Sequence, residues 1–470
     1  MSVLKTYRPG ALSALFSQGA SALGGFLAFL FLANMLSKDD LGAYSFAFNV
    51  MILLSILATL GLDRALLLRL SRDGDPGHQK RGLRLLFQIL ERSSAASIVF
   101  IVAVWAIATP LSEFMGSQVA HWWLSALAPV ILPMAVLLLL RVWFQANHRF
   151  AIFSAMPGIV DFLRAMFIGV AFVAATGKLG VALAVFAGFC VPLVALLLLT
   201  RGAEWIEDTR LESGDVSRGI VYAFQRISEA GFSLFDVILI GLVASDATTA
   251  EFALAARLAV LADAGRQAVF PTFMPRVRRY HMAGERAEIA REFGWVRLLS
   301  LLAALGVAIL LIVFGPAILL LFGGYEAAYE PLILIVAGYV VTGASGPHLG
   351  YLTMTGEVRL PALIRLGGLI VTAVGIVFTV PIMGALGAGF AILVGLLAVN
   401  SAALAALWAK TGFIGVSGPV HGLTLIAVMA LCAVALHWIS PMIGATMILV
   451  VVIMVEELEY GVILRLLHRS

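Results

Sequence analysis

Apolar residues form long, uninterrupted runs along almost the whole chain, and short polar connections separate the runs. Each run is close to the length of about 17–25 residues that a helix needs to cross a bilayer. Because the runs are continuously apolar rather than alternating, they predict helices and not membrane strands. Fourteen spans are predicted, at residues 12–36, 43–68, 93–113, 122–145, 151–176, 179–200, 219–244, 251–275, 298–322, 329–353, 361–383, 385–408, 419–439 and 441–458.

Basic residues lie mostly on one side of these predicted spans. With the N-terminus inside, the basic clusters that begin at Arg69 and Arg276 fall in inside connections, whereas the outside connections carry only Lys38 and Lys178. This asymmetry follows the positive-inside rule, and it predicts a multi-pass protein of the bacterial inner membrane with a cytoplasmic N-terminus. The segment Leu83–Arg92 is predicted to be an amphipathic helix that lies on the membrane surface.

Composition narrows the class of protein further. Hydrophobic residues make up 61% of the 470 and charged residues only 12%, whereas about 25% is usual for a soluble domain. The net charge of +4 is explained by topology, so no nucleic-acid partner is predicted. The two cysteines lie in apolar runs without a neighbouring cysteine or histidine cluster, and no disulfide, metal or cofactor is predicted. Without a P-loop or nucleophile elbow, the chain is predicted not to be an enzyme.

The chain repeats itself at an offset of about 208 residues. At this offset Tyr44 aligns with Phe252, and Gly116 aligns with Gly324. Six spans per repeat is an even number, which predicts two lobes related by a pseudo-two-fold axis along the membrane normal. The predicted fold is therefore all-α, with about 14 transmembrane helices. It comprises an N-terminal six-helix lobe (1–200), a cytoplasmic linker (201–218), a C-terminal six-helix lobe (219–412) and additional helices 13 and 14 (413–470).

Several charged residues fall within the predicted spans, where each costs about 2.5–3.5 kcal/mol unless a partner or water compensates it. Three acid–arginine pairs are three residues apart, a spacing at which helical side chains meet: Asp161/Arg164, Arg226/Glu229 and Asp263/Arg266. Asp236 and Arg257 lie at comparable depth and are predicted to pair across adjacent helices. Two interpretations stay open: the arginines line a cavity for a diphosphate, or the ion pairs only fix helix packing.

Short segments throughout the chain resemble one family of membrane proteins, the polysaccharide-biosynthesis flippases of the multidrug/oligosaccharidyl-lipid/polysaccharide exporter superfamily. Each segment alone is degenerate, but together they cover about residues 10–412. They are Leu41-Gly42-Ala43-Tyr44, Leu60-Gly61-Leu62-Asp63-Arg64-Ala65, Phe270-Pro271 with Pro275-Arg276-Val277, Leu321 to Ala328, Thr355-Gly356-Glu357, and Gly384 to Gly389.

The resemblance implies a protein with two six-helix lobes, alternating access and a cationic central cavity. It further implies a flippase that moves undecaprenyl-diphosphate-linked oligosaccharide to the periplasmic leaflet for O-antigen or exopolysaccharide synthesis. Its partners would be that lipid-linked sugar, the surrounding membrane lipid and, as a further candidate, the polysaccharide polymerase machinery. By location, the expected substrate-binding residues are Arg164, Arg226, Arg257, Arg266 and Gln18 (Gln18 falls opposite Arg226 in the repeat), and the expected ion-coupling residues are Asp161, Asp236 and Asp263.

Other functions remain alternatives at this point. A multidrug cation antiporter of the same superfamily would need acidic residues without partners in its cavity. A lipid II flippase would differ only in its substrate. A membrane glycosyltransferase or polymerase would carry catalytic residues in a long outside loop, and the outside connections are all short.

Overall fold

The computed structural model describes residues 9–71, 83–147, 149–200, 219, 222–223, 234–357, 359–411 and 418–467. The chain divides into two compact units, Met1–Ala250 and Glu251–Ser470. The predicted linker at 201–218 lies outside the described residues, so the predicted division of the chain at this linker stays a prediction.

The first unit consists of helices in its described part. α1 lies along α7, α7 packs on α8, and α2 packs on α5 and α6. A short 3₁₀ turn, Ala128–Val130, joins α5 to α6. The helices are α1 (Pro9–Met35), α2 (Lys38–Ala58), α3 (Leu62–Ser71), α4 (Leu83–Met115), α5 (Gln118–Leu127), α6 (Ile131–Ala146), α7 (Phe150–Val173), α8 (Gly177–Leu199) and α9 (Leu234–Val243).

α10 (Asp246–Ala259) begins at the end of the first unit, and the second unit continues from it. There α13 is central and packs against α12, α15 and α16, while α17 packs on α12. Non-helical backbone at Gly384 divides α15 into two helices. The remaining helices are α11 (Ala264–Ala283), α12 (Arg286–Leu320), α13 (Tyr329–Ser345), α14 (His348–Met354), α15 (Arg359–Thr411), α16 (Gly418–Ala435) and α17 (Pro441–Leu467).

These helices confirm the predicted fold class. Eight described helical stretches are long and apolar enough to cross a membrane, and four shorter apolar helices accompany them. The break at Gly384 falls between the predicted spans 361–383 and 385–408. α10 and α11, joined by the 3₁₀ turn Val260–Asp263, occupy the predicted eighth span. Each of the fourteen predicted spans therefore contains helix in its described part.

The predicted repeat is visible in local structure. Ser37 caps α2 by accepting a hydrogen bond from the backbone N–H of Asp40. Ser245, which is 208 positions later, accepts the equivalent bond from Thr248 at the start of α10. A serine at this position satisfies an N–H group that has no partner within the helix. The two repeats thus begin the corresponding helix in the same way.

The prediction of a separate surface helix at Leu83–Arg92 is wrong. This segment is the first part of α4, which runs without a break for 33 residues. Its apolar residues Leu85, Leu86 and Ile89 are almost fully buried in the first unit. The leucine-rich face that resembled a membrane-surface helix is therefore covered by protein.

Candidate functional site

A charged pair lies in the middle of α7. Asp161 and Arg164 are three residues apart and face the same side of the helix. Nη2 of Arg164 is 3.0 Å from Oδ1 of Asp161, and only 7% of Arg164 is exposed. Ser21 of α1 donates a hydrogen bond to the other carboxylate oxygen, Oδ2. The predicted pairing is therefore confirmed, and it joins α7 to α1.

Aromatic rings enclose the Arg164 guanidinium. Its central carbon lies 5.0 Å from the ring centre of Phe48 on α2 and 5.7 Å from that of Phe189 on α8. A ring face attracts a cation at such distances. The Nε atom of Arg164 is buried and has no hydrogen-bond partner in the described part of the chain. The guanidinium is therefore stabilised by ring faces and one carboxylate oxygen, and its buried Nε donor is not used by these contacts.

Glycines allow the neighbouring helices to approach this pair. A Cβ atom on Gly188 of α8 would lie 2.7 Å from the Cα of Arg164. A Cβ atom on Gly24 of α1 would lie 2.8 Å from the backbone of Asp161. Small residues are typical of close helix contacts in membranes. The sequence therefore builds the enclosure from two glycines as well as from the aromatic rings.

The second unit contains a comparable pair with different geometry. Arg266, at the start of α11, binds both carboxylate oxygens of Asp263, with Nε–Oδ1 and Nη2–Oδ2 distances of 2.6 Å each. Gln267 donates a third hydrogen bond to Oδ2 at 3.1 Å. The side chain of Phe270 packs against the guanidinium, whose central carbon lies 5.7 Å from the ring centre. This predicted pair is also confirmed, and it is a two-point ion pair.

Other predicted site residues are not brought together by described contacts. Asp236 on α9 is 6% exposed, and its Oδ1 has no hydrogen-bond partner in the described part of the chain. Arg257 on α10 is exposed within the second unit. Because Asp236 and Arg257 belong to different units, their predicted pairing stays a prediction. Arg226 lies outside the described residues, and Gln18 lies on α1 with its side chain outside the described part.

A polar cluster at one end of the first unit was not predicted. Asp40 accepts hydrogen bonds from Trp123 and Ser37 and forms an ion pair with Lys178 at 2.6 Å. These contacts connect α2, α5 and α8. The pair Asp39-Asp40 is visible in the sequence, but nothing local to it indicates that a tryptophan 83 positions away would be its donor.

Asp246, at the start of α10, adds a second carboxylate at this end. It accepts a hydrogen bond from Ser117, and its backbone carbonyl lies against Gly42 of α2. Burial raises the pKa of the Asp246 carboxyl above its ordinary value, and the negative charges of Asp39 and Asp40 raise it further, against the opposing effect of the Ser117 hydrogen bond. The cluster ties α10 to the ends of the neighbouring helices.

Comparisons with known proteins were made on both sequence and fold. The sequence profile of the family described as "Polysaccharide biosynthesis protein" matches residues 8–275. No curated protein sequence matches the chain significantly. The lipid II flippase MurJ in an inward closed conformation is similar in structure, with a TM-score of 0.73 and 11% identity over 96% of this chain and 99% of that one.

Two MATE transporters also share the architecture. A MATE family transporter of the MOP superfamily, in its inward-facing conformation, has a TM-score of 0.67 and 14% identity over 83% of this chain and 96% of its own. A mutant of the Vibrio cholerae MATE transporter VcmN has a TM-score of 0.57 and 17% identity over 86% of this chain and 98% of its own. Because the identities are low, these structures establish the fold alone. The family profile covers more than half of the chain, and the protein therefore belongs to the polysaccharide biosynthesis protein family.

Proposed function

We propose that the protein is a flippase that carries undecaprenyl-diphosphate-linked oligosaccharide from the cytoplasmic to the periplasmic leaflet of the inner membrane. The family match over residues 8–275 carries this proposal. A lipid-linked sugar is the form in which a polysaccharide precursor meets a membrane protein, and one of the similar structures is of a lipid II flippase. The sugar would serve O-antigen or exopolysaccharide synthesis, with the polymerase machinery as the next partner.

The head group of such a lipid requires a cationic binding site within the membrane. A planar guanidinium matches the oxygens of a phosphate, and a low local dielectric strengthens the interaction. Arg164 supports this role because it is buried and its Nε has no hydrogen-bond partner among the described residues. We extend the same role to Arg226, Arg257, Arg266 and Gln18, and we assign possible ion coupling to Asp161, Asp236 and Asp263.

Transport in this proposal needs no covalent chemistry. The prenyl tail stays in the lipid while the head group passes through a hydrated cavity that opens to one side and then to the other. The distribution of basic residues supports a cytoplasmic N-terminus, since the basic clusters then lie inside.

One observation favours a second candidate function, a multidrug cation antiporter. Asp236 is a buried carboxylate whose Oδ1 has no hydrogen-bond partner in the described part of the chain. A carboxylate of this kind suits exchange between a proton and a cationic substrate. The fold is shared with transporters of that class, so the two functions must be separated by experiment.

Deletion of the gene separates them. If the protein is a flippase, mass spectrometry of extracted lipids should show accumulation of an undecaprenyl-diphosphate oligosaccharide, together with a fall in surface polysaccharide. Both effects should be reversed by the intact gene. Unchanged lipid-linked sugars combined with new sensitivity to cationic drugs would contradict the flippase and favour the antiporter.

A further inference from the structure

The acid–arginine pairs at 161/164 and 263/266 share a three-residue spacing but differ in how completely the arginine is bound. In the second unit, Asp263 uses both oxygens to bind Arg266. In the first unit, Asp161 contacts Arg164 through Oδ1 only. Its Oδ2 accepts a hydrogen bond from Ser21 instead, and Nε of Arg164 is left without a partner in the described part of the chain. Of these two pairs, the first therefore has a buried Nε donor that its carboxylate does not bind.

A hydrogen bond from Ser21 accompanies this difference. A carboxylate can accept two parallel N–H bonds from a guanidinium, and Nε with Nη2 forms such a fork. The Ser21 hydroxyl engages the oxygen that would otherwise complete the fork at Arg164. The backbone differs between the pairs as well, because Asp263 ends the 3₁₀ turn Val260–Asp263, and its Oδ2 accepts from both Arg266 and Gln267. Ser21 competes for Oδ2 in the α7 pair, and the Ser21→Ala variant tests whether this competition holds the pair at a single point.

Exposure indicates which partner can leave. The Arg164 side chain is 8% exposed and the Asp161 side chain 23% exposed. A buried charge without a partner is strongly unfavourable, so Arg164 needs an anion at all times. Asp161, if displaced from Arg164, keeps the Ser21 hydrogen bond and its partial exposure. The carboxylate is therefore the exchangeable member of the pair.

We propose that Asp161 is a placeholder ligand, which neutralises Arg164 in the empty transporter and is displaced by a phosphate oxygen of the substrate. This inference rests on the proposed function and deepens it: the class of ligand is a diphosphate, and the site is Arg164 between the rings of Phe48 and Phe189. One diphosphate oxygen would replace Oδ1 of Asp161 at Nη2 of Arg164. A second diphosphate oxygen would bind Nε of Arg164. Ser21 is a positioning residue that keeps the placeholder weak.

Affinity for undecaprenyl diphosphate, measured by titration of the purified full-length protein in detergent, tests the exchange. Asp161→Asn removes the competing charge, so the Kd should fall by about tenfold or more. Ser21→Ala frees Oδ2 to complete the fork with Arg164, so the Kd should rise several-fold. Two substitutions at one contact thus have effects of opposite sign, which loss of packing alone would not produce.

Glu288→Gln is the matched control, because Glu288 and Arg291 form a three-residue-spaced pair at 2.6 Å on α12. Its Kd should equal that of the wild type. Titration with undecaprenol tests whether the tail alone binds, and titration with inorganic diphosphate tests whether the head group alone suffices. The exchange predicts that the Asp161 and Ser21 substitutions change diphosphate binding and leave undecaprenol binding unchanged.

Equal affinities in the wild type and both variants would overturn the exchange, as would weaker binding by Asp161→Asn. If Asp161→Asn cannot be purified, Ser21→Ala decides alone, because an unchanged or lower Kd in that variant contradicts the placeholder role. Such a result would leave the flippase proposal standing, since that proposal is decided by the lipids that accumulate in the deletion strain.

Discussion

Cells whose only copy of the gene carries Arg164→Ala are expected to lose surface polysaccharide export by about tenfold or more. The substitution removes a buried cation, and a charge-assisted hydrogen bond contributes roughly 1.5–3 kcal/mol. Each loss of about 1.4 kcal/mol corresponds to a factor of ten. Export is measured as surface polysaccharide per cell, and the amount of protein in the membrane is measured by immunoblot in the same samples.

Arg291→Ala is the control for this substitution. Arg291 also pairs with an acid three residues away, but both side chains are about one-third exposed, and such pairs contribute only about 0–1 kcal/mol. Export by this variant should be near normal. Normal export by Arg164→Ala would contradict the role of Arg164 in binding the head group. Loss of the Arg164→Ala protein from the membrane would instead favour the interpretation that the pair serves packing.

Gly61→Ala is expected to abolish accumulation of folded protein. Gly61 lies between α2 and α3 with φ +65°, next to Leu60 at φ +53°. A Cβ atom on Gly61 would lie 1.9 Å from the backbone oxygen of Gly219. Neither backbone can move away easily, because both lie at close contacts between helices. The variant should be degraded or aggregate, which fluorescence-detected size-exclusion chromatography of solubilised membranes would show.

Gly116→Ala separates the two causes of this effect. Gly116 has the same φ of +65°, but no atom lies within 4 Å of its Cβ position. The Gly116→Ala variant should be destabilised only by the strain of a left-handed non-glycine residue, roughly 1–2 kcal/mol. It should still give a monodisperse peak. If both variants behaved alike, the close approach to Gly219 would not be the reason that position 61 requires glycine.

Much of the fold could be predicted from the sequence because the bilayer sets the helix length. Continuous apolar runs marked every span, and the small-residue segment at Gly384 marked the division of α15. The error at Leu83–Arg92 has a physical cause: amphipathicity shows that one face is buried, but it does not show whether lipid or protein covers that face. The buried leucines of α4 are covered by protein.

The candidate site could be predicted only where its contacts are local. The pairs at 161/164 and 263/266 follow from helix geometry, and both form. Ser21 reaches Asp161, and Phe48 and Phe189 reach Arg164, from three other helices. No local pattern encodes those contacts. The hydrogen bond to Asp161 comes from Ser21, which is 140 positions away, and the sequence around the pair does not indicate it.

Direct measurement of lipid movement in proteoliposomes tests the central claim. The lipid-linked oligosaccharide that accumulates in the deletion strain is reconstituted with purified protein, and its accessibility to an impermeant sugar-modifying enzyme is followed over time. The account predicts that the wild-type protein makes the inner-leaflet pool accessible, and that Arg164→Ala does so at least about tenfold more slowly. An inner pool that stays as protected with the wild-type protein as in protein-free vesicles would contradict a flippase.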